Sequence, residues 1–174
     1  MTNSNEKYEH AKFAIGRYDH YLNVVNSKGS FYIAVNTFLL GSLFTAVTAV
    51  FRQLDKPWYV WGLLSLFSAS SLVSIILTIL AINPFLRSGN NSSRNRSLLF
   101  FGSVAEYQKD NYRDAFTDQD SHRMLQDTVD QSWTLATALV SKYRKLQLAG
   151  YLLIAQFALL IPIIYSININ LPTK

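Results

Sequence analysis

Asn26, Lys28 and Gly29 stand directly before a long uncharged run, and Asn36 lies inside it. A cation and an amide this close together are the makings of an anion clamp, because Lys28 supplies a point charge and Asn26 a directed donor for a phosphate. Arg94 or Arg96 would add a second cation, and the free N–H groups of a helix beginning at Ser103 would complete the cradle. Phe100 and Phe101 would offer a flat surface on which a base can stack. Each feature also has a plainer reading, in which Lys28 snorkels to phospholipid headgroups and both phenylalanines are core.

Other chemistry is poorly provided for. His10, His20 and His122 are the only histidines, and no two share the i, i+4 spacing that sets two imidazoles on one helix face. Asp19-His20 reads as a solvated helical surface. The chain carries no phosphate loop, no G-x-S-x-G elbow and no Gly-rich dinucleotide fingerprint. Cysteine is absent, which excludes a disulfide framework and a thiolate metal site. The expectation is a protein that is not an enzyme and holds no metal or cofactor.

The elements that must position these residues follow from charge patterning. Hydrophobic residues make up 49% of the 174-residue chain and charged ones 16%, and the charges are unevenly spread. None occurs from Ser30 to Phe51, from Pro57 to Leu86 or from Leu146 to Thr173. Each window satisfies the need for roughly 20 apolar residues to cross a hydrocarbon core. Phe31 and Tyr32, then Trp58, Tyr59 and Trp61, then Tyr151 and Tyr165 sit near the window ends as interfacial belts do. The first span is expected to act as an uncleaved insertion signal.

Lys7, Lys12, Arg17 and Lys28 precede the first span, and nine further cations from Arg87 to Lys145 lie between the second and third. Only Arg52 and Lys56 fall between the first two. The positive-inside rule therefore places residues 1–29 and 87–145 in the cytosol, and topology bias accounts for most of the net charge of +5 without nucleic acid.

The predicted fold is an all-α membrane protein. It has three transmembrane helices, the first and third extended as long cytosolic helical stalks, and a short helix in the central cytosolic region. The expected divisions are a cytosolic N-terminal helix at 1–29, a transmembrane hairpin at 30–86, a sensing and coupling region at 87–145, the third span at 146–168 and a short extracytoplasmic tail at 169–174. Tyr8, Ala11, Ile15, Tyr18, Leu22 and Val25 alternate steps of three and four, the spacing of a packed helical stripe. Continued through Phe51, with Gly29 as a weak point, this helix would be about 70 Å long.

Residues 52–57 read as a tight turn, Asn83-Pro84 as the stop of the second helix and residues 87–96 as an exposed loop. Ser103 and Glu106 have capping-box spacing, which predicts a helix entered at Gly102 and Ser103 and continuing to Tyr112 or beyond. From Ser121 a helix free of Gly and Pro is expected to Gly150 and on into the third span, where Pro162 is tolerated.

Within the spans, Thr37, Gly41, Thr45 and Thr48 share one face of the first helix, and Ser70, Ser74 and Thr78 one face of the second. Such faces either pack helices closely or line an aqueous path after assembly. Asn36 calls for a hydrogen-bond partner, because an intramembrane amide is costly without one.

The segments YDHYLNVVNSKGSFYIAVNTFLLG, NPFLRSGN, SLLFFGSVAEY and DTVDQSWTLATALVSKYRKL together resemble the transmembrane effectors of Pycsar, a bacterial anti-phage system. The resemblance covers roughly residues 18–150. It implies a bacterial inner-membrane protein with a cytosolic N-terminus, activated by cyclic CMP or cyclic UMP from a partner nucleotide cyclase. The activated homo-oligomer would impair the membrane by a pore or leak and so abort the infection. On matching positions it points to Asn26, Lys28, Gly29, Ser97, Phe100, Phe101 and Gly102 for ligand response. The other reading of the residues is a constitutive membrane scaffold that recruits a partner protein through its cytosolic helices.

Overall fold

The computed structural model describes residues 2–50, 58–84 and 96–169, with side chains from Asn5 to Thr48 in the first helix. The predicted turn at 52–57, most of the predicted loop at 87–96, Arg94 and the tail beyond Ile169 lie outside the described residues.

Five helices follow in order: α1 (Thr2–Val50), α2 (Trp58–Ile82), α3 (Phe101–Val104), α4 (Lys109–Thr117) and α5 (Ser121–Ile169). No strand occurs among the described residues. Three of the helices, α1, α2 and α5, are long and apolar enough to cross a membrane. The protein is thus an all-α membrane protein with additional short helices, as charge patterning requires.

The chain divides into two compact units, one of residues 1–24 with 84–141 and one of residues 25–83 with 142–174. The second unit holds the three uncharged segments, except the last three residues of the one that ends at Leu86. Leu39, Phe67, Leu153 and Ile163 form its apolar core, with Val35, Leu43, Leu63 and Leu160 packed around them. The opposite faces, including Leu72, Ile76, Ile154, Phe157 and Ile161, are exposed and suit lipid. Because acyl chains are as apolar as leucine, packing in this unit rests on close van der Waals contact and interhelical hydrogen bonds.

Gly29 is no weak point. α1 runs through it unbroken, and a Cβ at Gly29 would stand 2.5 Å from Ile82 Cγ2 and 3.4 Å from Thr78 Cγ2. Absence of a side chain lets α1 and α2 approach there. Gly150 does the same for α5, with a Cβ there placed 2.9 Å from the Tyr32 hydroxyl. α2 stops at Ile82 immediately before Asn83-Pro84, and the Asn83 N–H makes a last bond to the Ile79 carbonyl at 3.0 Å.

In the other unit, Tyr8, Ala11, Ile15, Tyr18 and Leu22 are half-buried, and Phe13, off that stripe, is exposed. Its central segment departs from the predicted helix. The Ser97 hydroxyl oxygen accepts the N–H groups of Leu99 and Phe100 at 3.2 and 3.0 Å, so the turn begins at Ser97. Ser103 lies inside α3, which is only four residues long, and the Glu106 carboxylate pairs with Arg96 at 3.6 Å. The capping box is therefore not formed, and a second helix, α4, starts after an extended Gln108.

Candidate functional site

The most developed polar site lies inside the membrane unit. Asn36 on α1, Ser71 and Ser74 on α2, and Gln156 on α5 are all fully buried. The Asn36 amide donates to the Tyr32 carbonyl at 2.8 Å and to the Ser74 hydroxyl at 3.2 Å. Ser74 in turn donates to the Ala149 carbonyl of α5 at 3.0 Å. The Ser71 hydroxyl stands 3.3 Å from Asn36 Oδ1 and 2.8 Å from the Gln156 side-chain oxygen.

A hydroxyl has one proton, so Ser71 cannot donate to both oxygens. The two ends of a glutamine amide are isosteric, and turning Nε2 toward Ser71 resolves the conflict. The chain then reads in one direction, from the Gln156 amide to Ser71 to the Asn36 carbonyl oxygen, and from the Asn36 amide to Ser74 to Ala149. With the amide as placed, Gln156 Nε2 has no hydrogen-bond partner among the described residues. Thr78, one turn below, is buried and donates to the Ser74 backbone carbonyl at 2.8 Å.

Other members of the predicted small polar faces fall elsewhere. Ser70 is half-buried and bonded to the Phe67 carbonyl at 3.0 Å, while Thr37, Gly41, Thr45 and Thr48 are exposed on α1. Thr45 and Thr48 donate to carbonyls of their own helix, both at 2.9 Å, so their hydroxyls tolerate lipid.

A second feature of the unit is Lys142. Its ammonium donates to the carbonyls of Ala81 and Asn83, at 2.7 and 2.5 Å, and so closes the C-terminal end of α2. Carbonyls left free at a helix end carry partial negative charge, which a cation satisfies. Burial, with Lys145 as a second cause, pushes the Lys142 ammonium below the ordinary lysine range. Lys142 precedes the uncharged segment that begins at Leu146.

The ligand-response candidates divide between the two units. In the membrane unit, Asn26 and Lys28 are exposed, and Gly29 is spent on the approach to Ile82. In the other unit, Phe100 is buried and Phe101 is exposed, with their rings 4.9 Å apart. Two adjacent rings thus do not form one stacking surface. Gly102 serves packing too, since a Cβ there would meet the Phe100 ring at 2.6 Å. Ser103 is buried within α3. Ser97 holds the N–H groups of Leu99 and Phe100 just ahead of α3, and Ser103 lies inside α3 and not at its start.

Arg96 is the candidate with a buried donor left unmet among the described residues. It lies 3.6 Å from the Glu106 carboxylate and 5.5 Å from the centre of the Tyr107 ring, donates to the Glu106 carbonyl at 3.4 Å, and has a buried Nε without a partner among the described residues. Asp127 on α5 accepts the Leu98 N–H at 2.8 Å, and Tyr112 donates to the Leu98 carbonyl at 3.3 Å. These bonds tether the segment that starts at Ser97.

Sequence reasoning missed Ser71, Gln156, Lys142 and Asp127. Gln156 was visible as an isolated amide in an uncharged window, the same signal that marked Asn36. Lys142 reads in sequence only as one more topology charge, and Asp127 as one more acid on a helix face.

An all-helical membrane unit with a hydrogen-bonded polar interior defines a multi-span membrane protein whose helices are held by specific polar contacts. The chain matches the Pycsar effector protein domain over residues 10–168, and it belongs to that family. No curated protein and no solved structure matches the chain.

Proposed function

We propose that this protein is a nucleotide-gated membrane effector of the bacterial inner membrane, with its N-terminus and residues 87–145 in the cytosol. A partner nucleotide cyclase supplies cyclic CMP or cyclic UMP during phage infection. The ligand binds the cytosolic unit, subunits reorganise as a homo-oligomer, and the spans open a pore or leak that aborts the infection. The cation distribution around the spans supports the orientation.

The observation that carries this reading is the buried chain of Asn36, Ser71, Ser74 and Gln156, in which Gln156 Nε2 is unmet among the described residues. An anchor needs only apolar helices; an interior of hydroxyls and amides has groups ready to meet water when the helices part. The ligand must favour the open assembly, since equal affinity for both states shifts nothing.

Purified protein in liposomes tests the proposal. Dye or ion release on adding cyclic CMP or cyclic UMP, and none with the corresponding linear monophosphates, is the expected result. Liposomes that stay tight, with no binding of either cyclic nucleotide, would refute the gating step. A stable complex with another protein in place of leakage would favour a scaffold.

A further inference from the structure

A small cleft in the unit of residues 1–24 and 84–141 is lined by Arg96, Gln119, Arg123, Gln126, Asp127 and Asp130, with a volume of about 60 Å³. Its charges balance, yet they are not paired with one another. Arg123 and Asp130 take part in no ion pair among the described residues, and Arg96 is held by the Glu106 carboxylate at 3.6 Å, the Glu106 carbonyl at 3.4 Å and the Tyr107 ring. Two guanidinium groups and two carboxylates around one opening favour a ligand that presents an anion at one end and N–H donors at the other.

The spacing on α5 sorts those ends. Arg123 and Asp130 are seven residues apart, about 10 Å along a helix, which is the reach of a mononucleotide from its phosphate to the far edge of its base. Gln126, Asp130 and Trp133 follow at i, i+4 and i+7, on one face. Trp133 is 69% exposed, although it lies outside the uncharged segments that suit lipid. Side chains of a helix lean toward its N-terminus, so the indole leans toward Asp130 and Gln126. An exposed indole beside hydrogen-bonding side chains is a platform for a flat heteroaromatic ring.

We propose that Arg96 and Arg123 hold the phosphate of a cyclic mononucleotide while its base stacks on Trp133 and its edge donates to Asp130 and Gln126. The cleft takes the phosphate, and the sugar and base lie over the open face of α5. A carboxylate accepts from the exocyclic amine of cytosine, whereas the carbonyls of uracil repel it, so the site selects cyclic CMP over cyclic UMP. This assignment rests on the gating reading above and adds to it a binding site and a base preference.

It also gives the ligand a route to the segment at Ser97. Asp127 lines the same cleft and holds the Leu98 N–H. A bound phosphate draws Arg96 away from Glu106 and repels the Asp127 carboxylate, which loosens the tether on Leu98.

Calorimetric titration of the full-length protein in detergent with cyclic CMP, cyclic UMP and inorganic phosphate, beside liposome leakage, tests the site. Arg123→Ala and Trp133→Ala are each expected to weaken cyclic CMP binding by about tenfold or more, with Trp133→Phe close to wild type. Asp130→Asn is expected to erase the preference for cyclic CMP, and inorganic phosphate alone to bind weakly. All three side chains are exposed, so the variants should fold. Wild-type affinity in Arg123→Ala, Trp133→Ala and Asp130→Asn would overturn the site while leaving the gating reading intact. A change of oligomeric state in Trp133→Ala with unchanged affinity would make the indole a subunit contact and overturn its role here. No binding of either cyclic nucleotide to the wild type would overturn both readings.

Discussion

In the unit of residues 25–83 and 142–174, buried polar side chains are bonded to each other or to backbone, whereas in the unit of residues 1–24 and 84–141 the charged groups Arg123 and Asp130 stand exposed and in no ion pair among the described residues. The contrast reflects solvent. Lipid offers no hydrogen bonds, so a polar group there is retained only when other helices satisfy it. Water satisfies an arginine or aspartate at little cost, and such a group can wait for a ligand. Polarity holds helices together in the membrane unit, and in the other unit it leaves charged side chains open to solvent.

Substitutions should expose that difference. The largest effect is expected from Gly29→Leu, where even the Cβ meets Ile82 Cγ2 at 2.5 Å. Overpacking of this kind costs about 1–3 kcal/mol or more. Thermal unfolding in detergent should show a large loss, and a wild-type midpoint would mean that α1 and α2 do not pack closely there.

Lys142→Met comes next. It removes the donor to the Ala81 and Asn83 carbonyls at the end of α2, with an expected destabilisation of about 1–3 kcal/mol. Faster amide exchange confined to the last turn of α2 would be its signature. Lys142→Arg should recover part of the stability, which separates a lost donor from lost volume.

Asn36→Leu and Gln156→Leu form a paired test. Interhelical bonds in membranes average about 0.6 kcal/mol, so losing the Asn36 bonds to Ser71 and Ser74 should cost about 1 kcal/mol. Gln156→Leu loses one bond but also removes an unmet amide end, and should be close to neutral. Unfolding in detergent ranks the two. A larger loss for Gln156→Leu than for Asn36→Leu would mean that the unmet end is satisfied in the assembled protein.

The smallest effect is expected for Arg113→Ala. Arg113 is 68% exposed and pairs with Asp110 at 3.3 Å and Asp114 at 3.8 Å. Pairs so exposed contribute about 0–1 kcal/mol, and added salt should abolish even that difference.

The spans were legible because lipid imposes a long-range requirement that a run of uncharged residues displays directly. Asn36 was legible for the same reason, as an amide where amides are expensive. Its partners were not, because helical spacing shows which residues share a face and not which face another helix meets. Hence Ser74 was placed on a polar face without its bond to Asn36, and Ser71 was not marked at all.

Glycine misled in a different way. Gly29 was read as a weak point of its helix and Gly102 as a helix entrance, yet both are filled by neighbours, Ile82 in one case and Phe100 in the other. A glycine announces close approach, and sequence alone does not name the approaching group. The capping box failed through competition. Ser97 offers its hydroxyl to the N–H groups of Leu99 and Phe100 before Ser103 is reached, so the helix begins earlier and ends sooner.

Directionality in the chain of amides and hydroxyls has a mechanical consequence. Ser71 and Ser74 can each point one proton one way, so the rotor settings on either side of Asn36 are correlated. Displacing one helix disorients the links on the others, and partial separation gains little. Such an interlock resists gradual loosening and yields as a unit, as the gating proposed above would require.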